Sequence, residues 1–189
     1  MIQQRHQLWQ RTLRSVAADF QALGDEQRSW IGEAVRRIGR GQQQLHALFL
    51  AADGPSLCSR CQGACCACGT HHFTLVNLLA WLAEGLSPPD PDFALTCPFL
   101  AADGCRLAVD KRPFNCVIFL CEQVWERLTP VQQQQARQLE DMLRRQYLAF
   151  SQRFAGASPH GLLIRAERLN GQGLLAAPGS QASASDCGA

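Results

Sequence analysis

The sequence predicts a mainly α protein with a small Cys-rich loop and β-hairpin module, in which an N-terminal helical hairpin and a long C-terminal helix flank a metal-binding core. Three observations carry this reading. Apolar residues recur at steps of three and four through both flanks, nine of the ten cysteines fall between Cys58 and Cys121, and two short apolar runs bracket Asp103-Gly104. The expected divisions are residues 1–52 (helical hairpin), 53–125 (cysteine-cluster chelating module), 126–169 (C-terminal helices packing on it) and 170–189 (a disordered tail).

Each element has its own warrant. Trp9, Leu13, Val16, Phe20 and Leu23 form the stripe of a first amphipathic helix, and Gly24 stops it. Asp25 is placed to cap a second, whose seam runs through Ile31, Val35, Ile38, Leu45 and Phe49 with Gln42 in one turn. Gly39 and Gly41 predict a bend in its middle. Residues 53–70 lose all periodicity and read as an irregular loop. Thr74 caps a helix carrying Leu75, Leu78, Leu79, Leu82 and Leu86, which the prolines of residues 87–92 end. Residues 97–109 read as the hairpin, and Phe114 to Trp125 as a buried helix opened by Pro113. Thr129-Pro130 begins a long helix bearing Leu139, Leu143, Tyr147, Phe150 and Phe154, and Leu162 to Leu169 forms a last one.

Composition narrows the function. A chain of 189 residues, 47% hydrophobic, buries about 70% of its unfolded surface and needs no staples merely to fold. No apolar run approaches the ~18 to 20 residues of a bilayer span, and the first residues lack the apolar core of a secretory signal. The expectation is a cytoplasmic protein in a reducing compartment, where clustered thiols serve as metal ligands or redox groups rather than disulfides. Net charge of +2 and 7% aromatic residues disfavour a nucleic-acid partner. The flanking helices could instead serve a protein partner.

The chemistry concentrates in two clusters. Cys58, Cys61, Cys65 and Cys66 lie within nine residues, with Cys68 just beyond. A C-x2-C turn sets two sulfurs on one side of a tight loop, a geometry that suits Zn–S bonds of about 2.3 Å and iron–sulfur clusters alike. Cys65 and Cys66 diverge as neighbours, so they point to two metals or to one ligand and one further thiol. The second cluster is Cys97 and Cys105 across the hairpin turn, Cys116 at a helix start, and Cys121. Five residues on a regular helix turn about 140°, so Cys121 joins Cys116 only if that helix ends or bends early. These eight cysteines are the candidate metal ligands, for zinc or iron. His71 and His72 read as surface or capping groups, with a nitrogen ligand as the alternative, and Cys68 and Cys187 stand outside the set. A tetrathiolate zinc carries a formal charge of −2 and needs donors around it. Arg60, Arg106, Lys111 and Arg112 all lie within five residues of a cysteine, and Arg112 before Pro113 is the strongest candidate.

The combination of C-x2-C-x3-C-C with Cys97-Pro98-Phe99-Leu100, Asp103-Gly104, Arg112-Pro113 and Cys116 resembles the YkgJ-type cysteine-cluster family, the zinc- or iron-chelating CxxCxxCC domain. The resemblance spans about a third of the chain and implies metal chelation by the matched cysteines. A flagellin lysine methylase carries a similar domain within a longer chain. Here the gap before Cys65 is three residues instead of two, and Cys105 directly follows Gly104. Which four thiolates share a metal stays open. The leading expectation is a metal-binding protein with a structural or partner-binding role. The alternatives are an iron–sulfur redox protein or methylase-like enzyme, and a thiol-based redox or metal sensor. No catalytic constellation is evident beyond the cysteines: neither GxGxxG nor a P-loop is present.

Overall fold

A computed structural model describes residues 2–61, 64–102 and 104–179. Helical periodicity is realised where the stripes are longest. Helix α1 (Ile2–Ala22) buries Trp9, Thr12, Val16 and Phe20. Helix α2 (Asp25–Ala51) buries Ile31, Val35, Ile38 and Leu45, with Gln42 fully enclosed beside them. Gly24 occupies the N-cap of α2, and Asp25 and Glu26 occupy its first turn, where negative charge meets the positive end of the helix dipole. Arg28 folds back to pair with Asp25.

Helix α2 runs unbroken through Gly39 and Gly41, so neither glycine ends or interrupts it. The reason is close approach: a Cβ on Gly39 would stand 3.1 Å from Asp110 Cβ, and one on Gly41 would press into Met142 and stand 3.1 Å from Leu143. The loss of helix propensity is offset by packing that only a bare backbone permits. Nor do α1 and α2 close as a simple hairpin. Helix α2 packs chiefly on the long helix α7 (Pro130–Arg153), whereas α1 leans on α8 (Leu162–Arg168) and on α4 (Leu75–Leu82). One hydrophobic cluster therefore runs through all the expected divisions, from Trp9 to Leu175.

Between α2 and α4 the chain is more regular than predicted. Helix α3 (Gly54–Arg60) and a single 3₁₀ turn (Cys66–Cys68) occupy the stretch expected to be an irregular loop. Helix α4 starts as expected at Thr74, whose amide and hydroxyl both donate to Asn77 Oδ1, at 2.9 and 2.8 Å. The hairpin is present in minimal form: β1 (Leu100–Ala101) pairs antiparallel with β2 (Gly104–Cys105), with Leu100 opposite Cys105. Asp103 of the expected turn lies outside the described residues. Gly104, at φ 123°, takes a conformation that side chains rarely adopt.

The expected helix from Phe114 to Trp125 is two short ones, α5 (Phe114–Ile118) and α6 (Glu122–Trp125). Phe119 turns extended at φ −76°, ψ 100°, and Cys121 becomes the N-cap residue of α6. Helix α7 opens as predicted: Thr129 N–H donates to Gln132 Oε1 at 2.9 Å, and Gln132 N–H returns to Thr129 Oγ1 at 3.3 Å. The segment following α8 differs from the expected tail. Leu174 and Leu175 are buried, and the amides of Ala155 and Gly156 donate to the carbonyls of Ala176 and Leu174. Residues 180–189, the remainder of that tail with Cys187, lie outside the described residues. Among the described residues no helix is long and apolar enough to cross a membrane.

Candidate functional site

Four pieces of backbone carry the candidate cysteines. Helix α3 holds Cys58, with Cys61 as its C-cap; the Cys61 thiol donates to Cys58 O at 3.5 Å. The 3₁₀ turn follows, with Cys65 before it and Cys66 opening it. Cys97 precedes the hairpin and accepts at its carbonyl from the Leu100 amide, while Cys105 sits in β2. Cys116 and Cys121 flank the break between α5 and α6. That break answers the geometric objection to Cys121, because the helix that would have turned it away ends at Ile118.

The thiols are close enough to feel one another. Burial pushes the Cys58 thiol up, and the neighbouring Cys65, Cys61 and Cys121 add to it. Burial raises Cys66 to about 11, reinforced by Cys65, which also hydrogen-bonds to it, and by Cys58 and Cys105. Cys97 is raised by burial and by Cys105, against amide donors at Phe99 and Leu100 that favour its thiolate. Cys116 is open to the adjoining cavity yet enclosed on its other sides. Burial first, then Cys105, Cys97 and Cys66, push it up to about 12, while the Arg112 charge acts the other way. All eight candidates thus belong to one connected group. At their present separations, no three His, Cys, Asp or Glu side chains among the described residues form a set tight enough to hold a metal ion.

A cavity of about 610 Å³ opens beside this group. Cys58, Cys65, Cys66 and Cys116 face it, and so does Cys68, whose thiol donates to Ala64 O at 3.8 Å. Leu45, Phe49, Val117, Ile118 and Phe119 line the apolar wall. Its polar groups include His46, Arg112, Asn115 and Glu140.

Four residues outside the candidate set shape the site. His72 Nδ1 lies 3.2 Å from Cys116 Sγ, so a histidine expected at the surface or at a cap faces the most perturbed thiol instead. Its only signal in the sequence was its place four residues beyond Cys68. Gln42 and Asn77 hold the turn before Cys116: Gln42 Nε2 donates to Arg112 O at 2.7 Å, and Asn77 Nδ2 to Arg112 O at 3.0 Å and Lys111 O at 3.2 Å. Tyr147, half-buried with its hydroxyl enclosed, stands near Cys116 as well, that hydroxyl pushed up by burial. Side chains on three helices converge here, and no local spacing announces such a junction.

The four expected charge donors separate. Arg112 acts on Cys116 while its Nε donates to Leu107 O at 3.1 Å. Arg60 lines a surface hollow together with Cys61. Arg106 instead donates to Asp90 O at 2.9 Å, and Lys111 pairs with Glu84 and Asp110 at 2.9 and 3.2 Å. Burial alone would lower Lys111, but its hydrogen bonds to Glu84 and Asp110 more than offset that, and its pKa lies above the ordinary lysine value.

Comparison with known proteins finds no matching family model, no similar curated protein and no solved structure of matching fold.

Proposed function

We propose that this is a metal-binding protein of the cytoplasm that chelates zinc or iron through clustered cysteine thiolates, with a structural or partner-binding role, akin to the YkgJ-type domains its motifs resemble. The observation that supports this most is the gathering of eight cysteines from separate segments into one group of mutually interacting thiols. Bringing so many thiols together, with burial raising Cys58, Cys66, Cys97 and Cys116, has no packing rationale that apolar side chains would not serve better. A divalent cation reverses the balance, because each thiolate it draws in is stabilised by the ion and releases its proton. Binding would require the sulfurs to close in from their present separations.

The cavity favours a second reading. Structural zinc sites are closed, whereas centres that act on a ligand keep an open side. A space of about 610 Å³ against Cys58, Cys66 and Cys116 is the size of a small-molecule pocket. An iron–sulfur redox protein or methylase-like enzyme would use such a space.

The deciding experiment is elemental mass spectrometry with an ultraviolet–visible spectrum on protein purified without oxygen. Stoichiometric zinc without colour supports the structural reading. Iron with acid-labile sulfide and broad visible absorption supports the second. Protein that retains neither metal, and takes up neither on reconstitution, overturns the proposal.

A further inference from the structure

Charge around the cavity is unbalanced. Among the described residues that line it, Arg112 is the one fixed cation and Glu140 the one carboxylate. These two do not answer each other. Glu140 is committed to Arg144, one turn along α7, at 2.6 Å. Arg112 forms no ion pair among the described residues. It is nevertheless anchored: the buried Gln42 and Asn77 hold its carbonyl, and its Nε donates to Leu107 O at 3.1 Å. That leaves the two terminal nitrogens of the guanidinium, a pair that takes both oxygens of a carboxylate end-on. The Arg112 charge reaches His46 and Cys116, which face the same space. Away from it the wall is apolar, with Phe49, Val117, Ile118 and Phe119. The break after α5 brings the Phe119 ring to this cavity, and 57% of the residue stays open to solvent.

We infer that this cavity binds a small apolar monocarboxylate, its carboxylate paired with the Arg112 guanidinium and its hydrocarbon body lying against Phe49, Val117, Ile118 and Phe119. A volume of about 610 Å³ suits a small molecule with one polar end. One unpaired cation matches one negative charge, whereas a phosphate ester carries up to two and calls for a second cation. A neutral ligand of the same shape would cover the apolar wall and leave Arg112 without a counter-charge. Such binding needs no metal among the thiols.

Isothermal titration calorimetry on the full, reduced chain tests this, with octanoate as the probe and octan-1-ol and octyl phosphate as its neutral and doubly charged counterparts. Octanoate should bind at one site per chain, about 10- to 100-fold more tightly than octan-1-ol, the margin of a charge-assisted hydrogen bond. Arg112→Gln should erase that preference and leave octan-1-ol binding as it was. Phe119→Ala, at an exposed position, should weaken both ligands alike, by about 3- to 10-fold. Should Arg112→Gln lose its helical circular dichroism, the wild-type preference and Phe119→Ala decide instead. Absence of octanoate binding, equal affinity for octanoate and octan-1-ol, or octanoate binding untouched by Phe119→Ala overturns the site. A preference that persists in folded Arg112→Gln overturns the pairing, and tighter binding of octyl phosphate overturns the choice of a carboxylate. Metal content is read on separate samples, so failure here leaves the metal-binding reading where it stood.

Discussion

His72 and Cys116 meet at 3.2 Å across 44 residues of sequence, the imidazole Nδ1 against the thiol sulfur. The contact joins the segment that follows the first cysteine cluster to the helix that carries the last part of the second. Burial keeps His72 below the ordinary histidine pKa, with His71 adding to the effect, so at neutral pH it is an uncharged ring with one N–H to give. On the proposed metal-binding function, a ring donating to a metal-bound Cys116 sulfur would stabilise its negative charge without joining the metal. His72→Ala should leave zinc stoichiometry unchanged and weaken retention by about 10- to 100-fold. Competition with a chelator of known affinity measures this, and unchanged competition would separate His72 from the site.

Asn77 should matter more for stability than its position in an apolar helix suggests. Its carbonyl accepts from Thr74 at the start of α4, while its amide nitrogen holds the carbonyls of Lys111 and Arg112. Asn77→Ala removes the cap and leaves buried carbonyls short of donors. The expected cost is about 2 to 4 kcal/mol, summing a cap with an unsatisfied buried acceptor. Urea denaturation reads it directly, and a loss below about 0.5 kcal/mol, the level of an ordinary surface change, would contradict the network.

His46 gives a pH signature. Its pKa is lowered by burial and then by the Arg112 charge, and its ring stacks on Phe49 at 5.6 Å. The unfolded chain takes up this proton near the ordinary histidine value of about 6.5, while the folded protein resists it. The stability involved is fully present above about pH 6.5 and declines as pH falls below it. His46→Gln cannot take up the proton. The stability of wild type relative to His46→Gln should therefore fall between pH 7.5 and 5.5. A pH-independent difference would show that His46 titrates alike in both states.

What could be read in advance depended on how local its cause was. The stripe from Leu139 to Phe154 and the Thr129 cap are short-range patterns, and α7 follows both. The short hairpin followed from one turn, with Leu100 opposite Cys105 and Cys97 just before it. Why Gly39 and Gly41 stand within α2 was not legible, because propensity speaks for a helix alone, whereas Asp110 and Leu143 press against this one from distant parts of the chain. The break after Ile118 was missed for the converse reason: residues 114–125 are apolar enough for one helix, and no proline or glycine marks the interruption.

The sequence by itself determined a mainly helical protein, the starts of α4 and α7, and the crowding of nine cysteines between Cys58 and Cys121, because periodicity, caps and residue spacing are written within a few residues of where they act. Only the tertiary structure decided which thiols neighbour which, that His72 faces Cys116, that Arg112 and not Lys111 stands by Cys116, and that the helices leave a cavity beside them. Those outcomes depend on how elements far apart in the chain pack. Packing is set by the summed fit of many side chains rather than by any one spacing.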